Sequence, residues 1–321
     1  MRARSPWLPA LIRLLGTGAA GAWVVHHIQW KAVLASFSRF ESWVIAVPLA
    51  VVFLNTLNHA VRVSWVLRHL GEHIRVAVVL SALMRGAFLG LSLPTGGGEV
   101  AKAALLGRSG PGLARSVSAL VLVRFTQLPS WIVVLTWGLC AGLYRGAPLL
   151  LGAAAVFVVV AVSLLVIVAT GAIPWPRGWP LAGRVDRWRS DFAAIRSARG
   201  LMARLALLGL AAAVVNALGV WGILHAAQTP LPLTTLLGVV PAADVLIWLP
   251  ISFSGIGVRE STFALALGIW GVPAPLAVAV GIVRWSGELT RAAIGCMIMA
   301  LGTGRTQRNG PLSPRKGAQD E

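Results

Sequence analysis

Six long apolar runs, near residues 8–28, 43–61, 115–143, 148–172, 203–226 and 276–301, constrain this chain more than any other feature. As helices rising about 1.5 Å per residue, each reaches about 30 Å, the thickness of a bilayer's hydrocarbon core. A soluble domain has nowhere to put so much apolar surface. Of the 321 residues 57% are hydrophobic and 12% charged, whereas soluble domains carry roughly 25% charged residues. Lipid tails accept apolar side chains on every face of a helix, so the bilayer resolves the conflict. The expected fold is an all-α integral membrane protein forming one polytopic domain over 1–304, with a disordered basic tail at 305–321. The first run follows Met-Arg-Ala-Arg-Ser-Pro-Trp and reads as a retained helix, since no small-x-small cleavage site follows it.

Two further apolar regions are interrupted. Residues 76–107 break at Leu93-Pro-Thr-Gly-Gly-Gly-Glu99, and residues 233–271 break around Pro250 and again at Ser254-Gly-Ile-Gly257. Half-length helices meeting at a Gly/Pro break are the pattern of a re-entrant pair. About six full spans plus two such pairs result, or ten spans with the same sidedness if each pair crosses fully. With the N-terminus in the cytoplasm, nineteen of the 28 lysines and arginines fall in cytoplasmic segments, Arg62 and Lys102 among them, and three fall outside. The positive-inside rule favours that orientation, with both termini cytoplasmic in the inner (plasma) membrane. It also accounts for the net charge of +18. No motif for nucleic acid accompanies that charge, and the expected partners are membrane lipids, with anionic headgroups at the cytoplasmic face. In the cytoplasmic loop at 174–202, Val185, Trp188, Phe192 and Ile195 fall at helical spacing among arginines, which predicts an amphipathic helix on the membrane surface.

The broken regions resemble each other. Pro94-Thr-Gly-Gly-Gly-Glu99, a short helix, Gly110-Pro111 and a helix with Arg124 are echoed by Ser254-Gly-Ile-Gly-Val-Arg-Glu260, a short helix, Gly271-Val-Pro273 and a helix with Arg284. The offsets agree to one residue. Three spans separate the copies, so the second enters from the opposite face. The plan is an inverted repeat, about 43–143 and 203–301, of the kind that places a transport site near the midplane.

Ionisable side chains at that depth need a reason. Arg124 and Arg284 each lie about nine residues into their helices. They either grip a lipid phosphate or pair with a buried acid, and the available acids are Glu99, Asp244, Glu260 and Glu288. Gly96, Gly97 and Gly98 open one half-helix and Gly255 and Gly257 the other, each with an acid on its first turn. Such N-termini offer free N–H groups to a phosphate; alternatively the glycines let helices approach closely and the acids cap them. Arg259 joins this group beside Glu260. Cys140 and Cys296 lie in apolar segments and the six histidines have no metal spacing, so neither a metal nor a cofactor is expected.

In this order the motifs resemble the transmembrane region of the lysylphosphatidylglycerol synthase family, a flippase-like domain that also occurs as a stand-alone protein. The family's first motif runs approximately Pro-Gly-Arg-x-Gly-Glu-x-x-Arg. Pro94, Gly98 and Glu99 match it, Lys102 stands for the closing arginine, and Gly96 replaces the first one. The next helix often carries Glu-Arg, where this chain has Val123-Arg124. The second motif runs approximately Pro-Gly-Gly-x-Gly-x-Arg-Glu; Gly255, Gly257, Arg259 and Glu260 match, with Phe253 and Ser254 in place of Pro-Gly. The resemblance implies movement of a phospholipid or polyprenyl-phosphate-linked lipid between leaflets. It does not imply aminoacyl transfer, which in bifunctional members needs a large soluble domain, and about 20 residues follow the last helix here. No enzymatic activity is expected, and a lipid-modifying enzyme stands as the candidate protein partner. Two other readings compete. One is a non-transporting subunit or regulator of lipid or cell-envelope synthesis. The other is an intramembrane hydrolase built on Ser254 and His225, although Ser252 stands where a Gly-x-Ser-Gly nucleophile motif has its first glycine.

Overall fold

The computed structural model describes residues 30–92, 97–144, 146–170, 182–248 and 258–302. The first apolar run, Gly96, Gly255, Gly257, Ser254 and the tail lie outside these. The described residues are helical with no strand. The helices are α1 (Trp30–Phe37), α2 (Ala46–His69), α3 (Val76–Ser92), α4 (Gly97–Gly107), α5 (Gly112–Cys140), α6 (Pro148–Thr170), α7 (Ala182–Ser197), α8 (Arg199–Ala226), α9 (Leu233–Trp248), α10 (Val258–Gly268) and α11 (Ala274–Gly302). A 3-10 turn at Ser42–Ile45 leads into α2. Ser42–His69, Gly112–Cys140 and Arg199–Ala226 are long and apolar enough to cross a membrane; Val76–Leu91, Pro148–Leu164 and Leu233–Leu246 are apolar but shorter. α11 matches α5 in length at 29 residues, yet Arg284, Glu288 and Arg291 interrupt its apolar surface. α6 is apolar all round and exposes Leu149, Leu151, Val156, Val159 and Val160, a surface that a bilayer accepts.

At α2 the helix continues past the apolar run to His69, so Arg62 sits inside it and is buried within the protein, 1% exposed. Apolar neighbours bury the turns on either side of it: Ala60, Val63, Val66 and Leu67 are all 0% exposed.

Each interrupted region is a pair of helices in contact. α4 folds back along α3, so that Gly98 meets Gly90 and Lys102 meets Gly86. A Cβ on Gly98 would lie 2.9 Å from the Gly90 Cα, a separation that only glycine permits. α9 and α10 pack together likewise. The turns that follow, at Gly110 (φ +137°) and Gly271 (φ +77°), use backbone conformations that glycine adopts without strain.

Helix contacts match between the two groups. α2 packs on α8; α3 packs on α11 as α9 packs on α5; α2 packs on α11 as α8 packs on α5. At the α2–α8 crossing Asn55 Nδ2 donates to Asn216 Oδ1 at 3.1 Å, two residues 161 apart in the chain. That is the spacing of Glu99 and Glu260.

Two large apolar cores result, beside a small cluster of Val33, Ala264, Val278 and Ala279. One joins α2, α3 and α4 to the N-terminal halves of α5 and α8, through Leu67, Leu83, Leu106, Leu122, Val123 and Leu205. The other joins α6, α9, α10 and α11 to the C-terminal halves of the same two helices, through Trp131, Leu135, Leu150, Val220, Leu236 and Phe263. α7 is the helix expected from the basic loop, but its C-terminal half faces protein: Ile195 is buried in the first core, with Phe192 packed against it and edge-on to Phe125 at 6.0 Å.

Candidate functional site

Between the cores lies a cavity of about 800 Å³. α2 supplies a polar stripe to it: Asn55, Asn58, His59 and Arg62 recur at three- and four-residue spacing, hence on one face. Three carbons of side chain carry the Arg62 guanidinium to α5. There Nη2 donates to the Val123 carbonyl (2.9 Å) and Thr126 Oγ1 (3.1 Å), and Nη1 to Gln127 Oε1 (3.2 Å). Its Nε has no hydrogen-bond partner. A buried guanidinium held by neutral acceptors keeps its full charge.

The fold-back of α4 brings Glu99 and Lys102, one turn apart, onto the same wall. Glu99 Oε1 accepts from Lys102 Nζ at 2.8 Å and from Arg124 Nη2 of α5 at 3.1 Å. The Arg124–Glu99 pair is open, with side chains 43% and 45% exposed, while Lys102 is 14% exposed. Arg124 follows Gly112, the start of α5, by twelve residues, and Arg284 follows Ala274 of α11 by ten, so both reach similar depths in helices of equal length.

Arg284 enters the same cavity from the other side but is closed off. Its Nη1 and Nη2 donate to Asp244 Oδ1 and Oδ2 at 2.6 and 2.9 Å, and the two side chains are 20% and 12% exposed. The guanidinium also lies 5.4 Å from the centre of the Phe263 ring. Glu288 pairs with Arg291 one turn along α11, and Arg259 lies 5.8 Å from the Trp285 ring centre, a cation–π distance.

Of the residues singled out by sequence, Arg124, Arg284, Gly98, Glu99, Asp244, Arg259 and Glu288 line one cavity. Gly97 is the first residue of α4, outside that lining, and Glu260 is on the first turn of α10, also outside it. Lys102, expected in a cytoplasmic segment, is on the wall, because α4 folds inward instead of leaving the protein. Arg62, His59, Asn55, Asn216 and Arg291 were not singled out. The three- and four-residue spacing of polar groups along α2 was the available signal.

A family model for the lysylphosphatidylglycerol synthase transmembrane region matches residues 10–286, most of the chain and every wall of the cavity except Glu288 and Arg291. The chain belongs to that family. Membership, with the apolar helices, makes it a multi-pass membrane protein with a role tied to membrane lipids. No curated protein matches the chain. Among the described residues, Lys102, which stands for an arginine of the first motif, lines the cavity, and Val123, which stands where the family often has an acid, is buried and gives its carbonyl to Arg62.

Proposed function

We propose that the protein moves a lipid between leaflets by housing its anionic headgroup in this cavity, as a flippase-like transporter and not as an enzyme. One observation carries the reading: Arg124 and Arg284, at equivalent places in two similar helix groups, line a single cavity of mixed polar and apolar lining inside an apolar helical bundle. A charge facing lipid at the bilayer centre costs at least roughly 2.5–3.5 kcal/mol, and an arginine can hold a phosphate with two parallel hydrogen bonds. The matched helix contacts and the Asn55–Asn216 crossing support two related halves, which we read as an inverted repeat with re-entrant hairpins; the distribution of lysine and arginine along the sequence supports an inner-membrane orientation with both termini cytoplasmic. Arg124 is the first contact for the phosphate, since its partner Glu99 is exposed and already shared.

The test is reconstitution into liposomes with labelled phospholipids and polyprenyl phosphate, followed by a sidedness assay. Wild-type protein should move a phosphate-bearing lipid faster than empty vesicles do. Arg124→Lys should lose most of that rate, because a point charge replaces the bidentate fork. Full activity of an Arg124→Ala/Arg284→Ala protein would overturn the assignment. Equal rates with and without wild-type protein would turn the reading to a membrane subunit or regulator.

A further inference from the structure

The imbalance of charge between the two walls of the cavity identifies the class of headgroup more closely. We propose that the site takes a dianionic headgroup, a phosphomonoester or a diphosphate, in preference to a phosphodiester. This rests on the reading above that the cavity houses a lipid's anionic group.

On the α9–α11 side each cation has an acid nearby in structure or sequence. Arg284 holds Asp244 with both nitrogens, Arg291 pairs with Glu288, and Arg259 is followed by Glu260 in the chain. The α2–α4–α5 side differs. It presents Arg62, Lys102 and Arg124 to the cavity, and the three helices together contain one carboxylate, Glu99. Glu99 already serves two of the three cations through a single oxygen. The third, Arg62, is bonded to a carbonyl, a hydroxyl and an amide oxygen. The wall therefore holds two positive charges beyond what its own carboxylate offsets, in a setting where an unmatched charge is costly.

A phosphodiester supplies one negative charge and two free oxygens. A phosphomonoester supplies nearly two charges at neutral pH and three acceptor oxygens, and a diphosphate substituted at both ends supplies two charges over its two phosphates. Only the latter pair matches the surplus. Its oxygens would displace Glu99 from the exposed Arg124 while Glu99 keeps Lys102, so the ligand enters without unpairing an acid.

The comparison that tests this uses the wild-type full chain in nanodiscs with two lipids of identical acyl chains, phosphatidic acid (a phosphomonoester) and phosphatidylglycerol (a phosphodiester). Binding is read by tryptophan fluorescence at about pH 7.5. Phosphatidic acid should bind at least about tenfold more tightly, the weight of one added charge-assisted hydrogen bond. Lys102→Gln should shrink that ratio to within about threefold, with the larger loss on phosphatidic acid. Arg62→Gln should act likewise, and Lys102→Gln decides if the Arg62 variant fails to fold. Equal affinity for both lipids in wild type would overturn the dianion inference and leave the anionic-headgroup reading standing. Binding of neither lipid, nor of polyprenyl phosphate, would remove that reading itself. An unchanged preference in folded Lys102→Gln and Arg62→Gln proteins would overturn the assignment to this wall.

Discussion

Arg124 and Arg284 occupy matching positions but hold their carboxylates differently. Arg284 and Asp244 form a two-bond pair with little exposure, so removing one partner strands a charge in the interior, at a cost of about 3–5 kcal/mol. Arg284→Gln and Asp244→Asn should each lower the melting temperature sharply. The double variant should recover much of the loss, because both charges leave together. Thermal unfolding of the three proteins in detergent checks this, and a double variant no better than the singles would contradict it. Arg124 and Glu99 are both near half exposed, a setting in which a pair is worth about 0–1 kcal/mol. Arg124→Gln should therefore unfold close to wild type while losing transport, which separates a working arginine from a structural one. Sequence located both arginines and the acids Glu99 and Asp244. It did not say which acid meets which arginine, because Asp244 lies 40 positions from Arg284 and only the packing of α9, α10 and α11 sets that distance.

Among the elements, the α3–α4 hairpin depends on contact between backbones. Gly98→Ala places a methyl group against the Gly90 Cα and should push α4 away from α3, carrying Glu99 and Lys102 off the wall, at about 1–3 kcal/mol for the overpacking. Gly152 in α6 has open space around its missing Cβ. Gly152→Ala should leave stability and lipid binding unchanged or slightly improved. Melting curves and headgroup binding of the two variants side by side make the check, and matching behaviour would refute the close-contact account. Helices were the most legible elements, since an apolar run of bilayer length has few alternatives: 115–143 became Gly112–Cys140 and 203–226 became Arg199–Ala226. Charged residues at the ends of runs were the least legible. Arg62 marks the end of an apolar stretch in sequence, and periodicity alone does not distinguish a helix that stops there from one that turns its arginine inward. The same ambiguity hid the burial of Ile195, whose apolar face could equally have met lipid.

For the whole molecule, the proposed inverted repeat makes a prediction about sidedness. Ser109 and Trp270 occupy equivalent turns, after α4 and after α10, and both are exposed. In a background lacking the two exposed cysteines, Cys140 and Cys296, Ser109→Cys should react with an impermeant maleimide from the cytoplasmic side and Trp270→Cys from the outside. Labelling of both from one side would abolish the inversion. The two cores also bear on how such a molecule could move. α5 runs through both: Val123 is the last residue it gives to one and Trp131 the first it gives to the other. Between them stands Pro129, which forgoes the amide bond to the preceding turn and makes that turn the easiest place for the helix to flex. Mechanically, α5 is a beam notched at the level of the cavity. A tilt of one core against the other then concentrates its strain in the notch, and changes the width of the cavity before it disturbs the packing of either side.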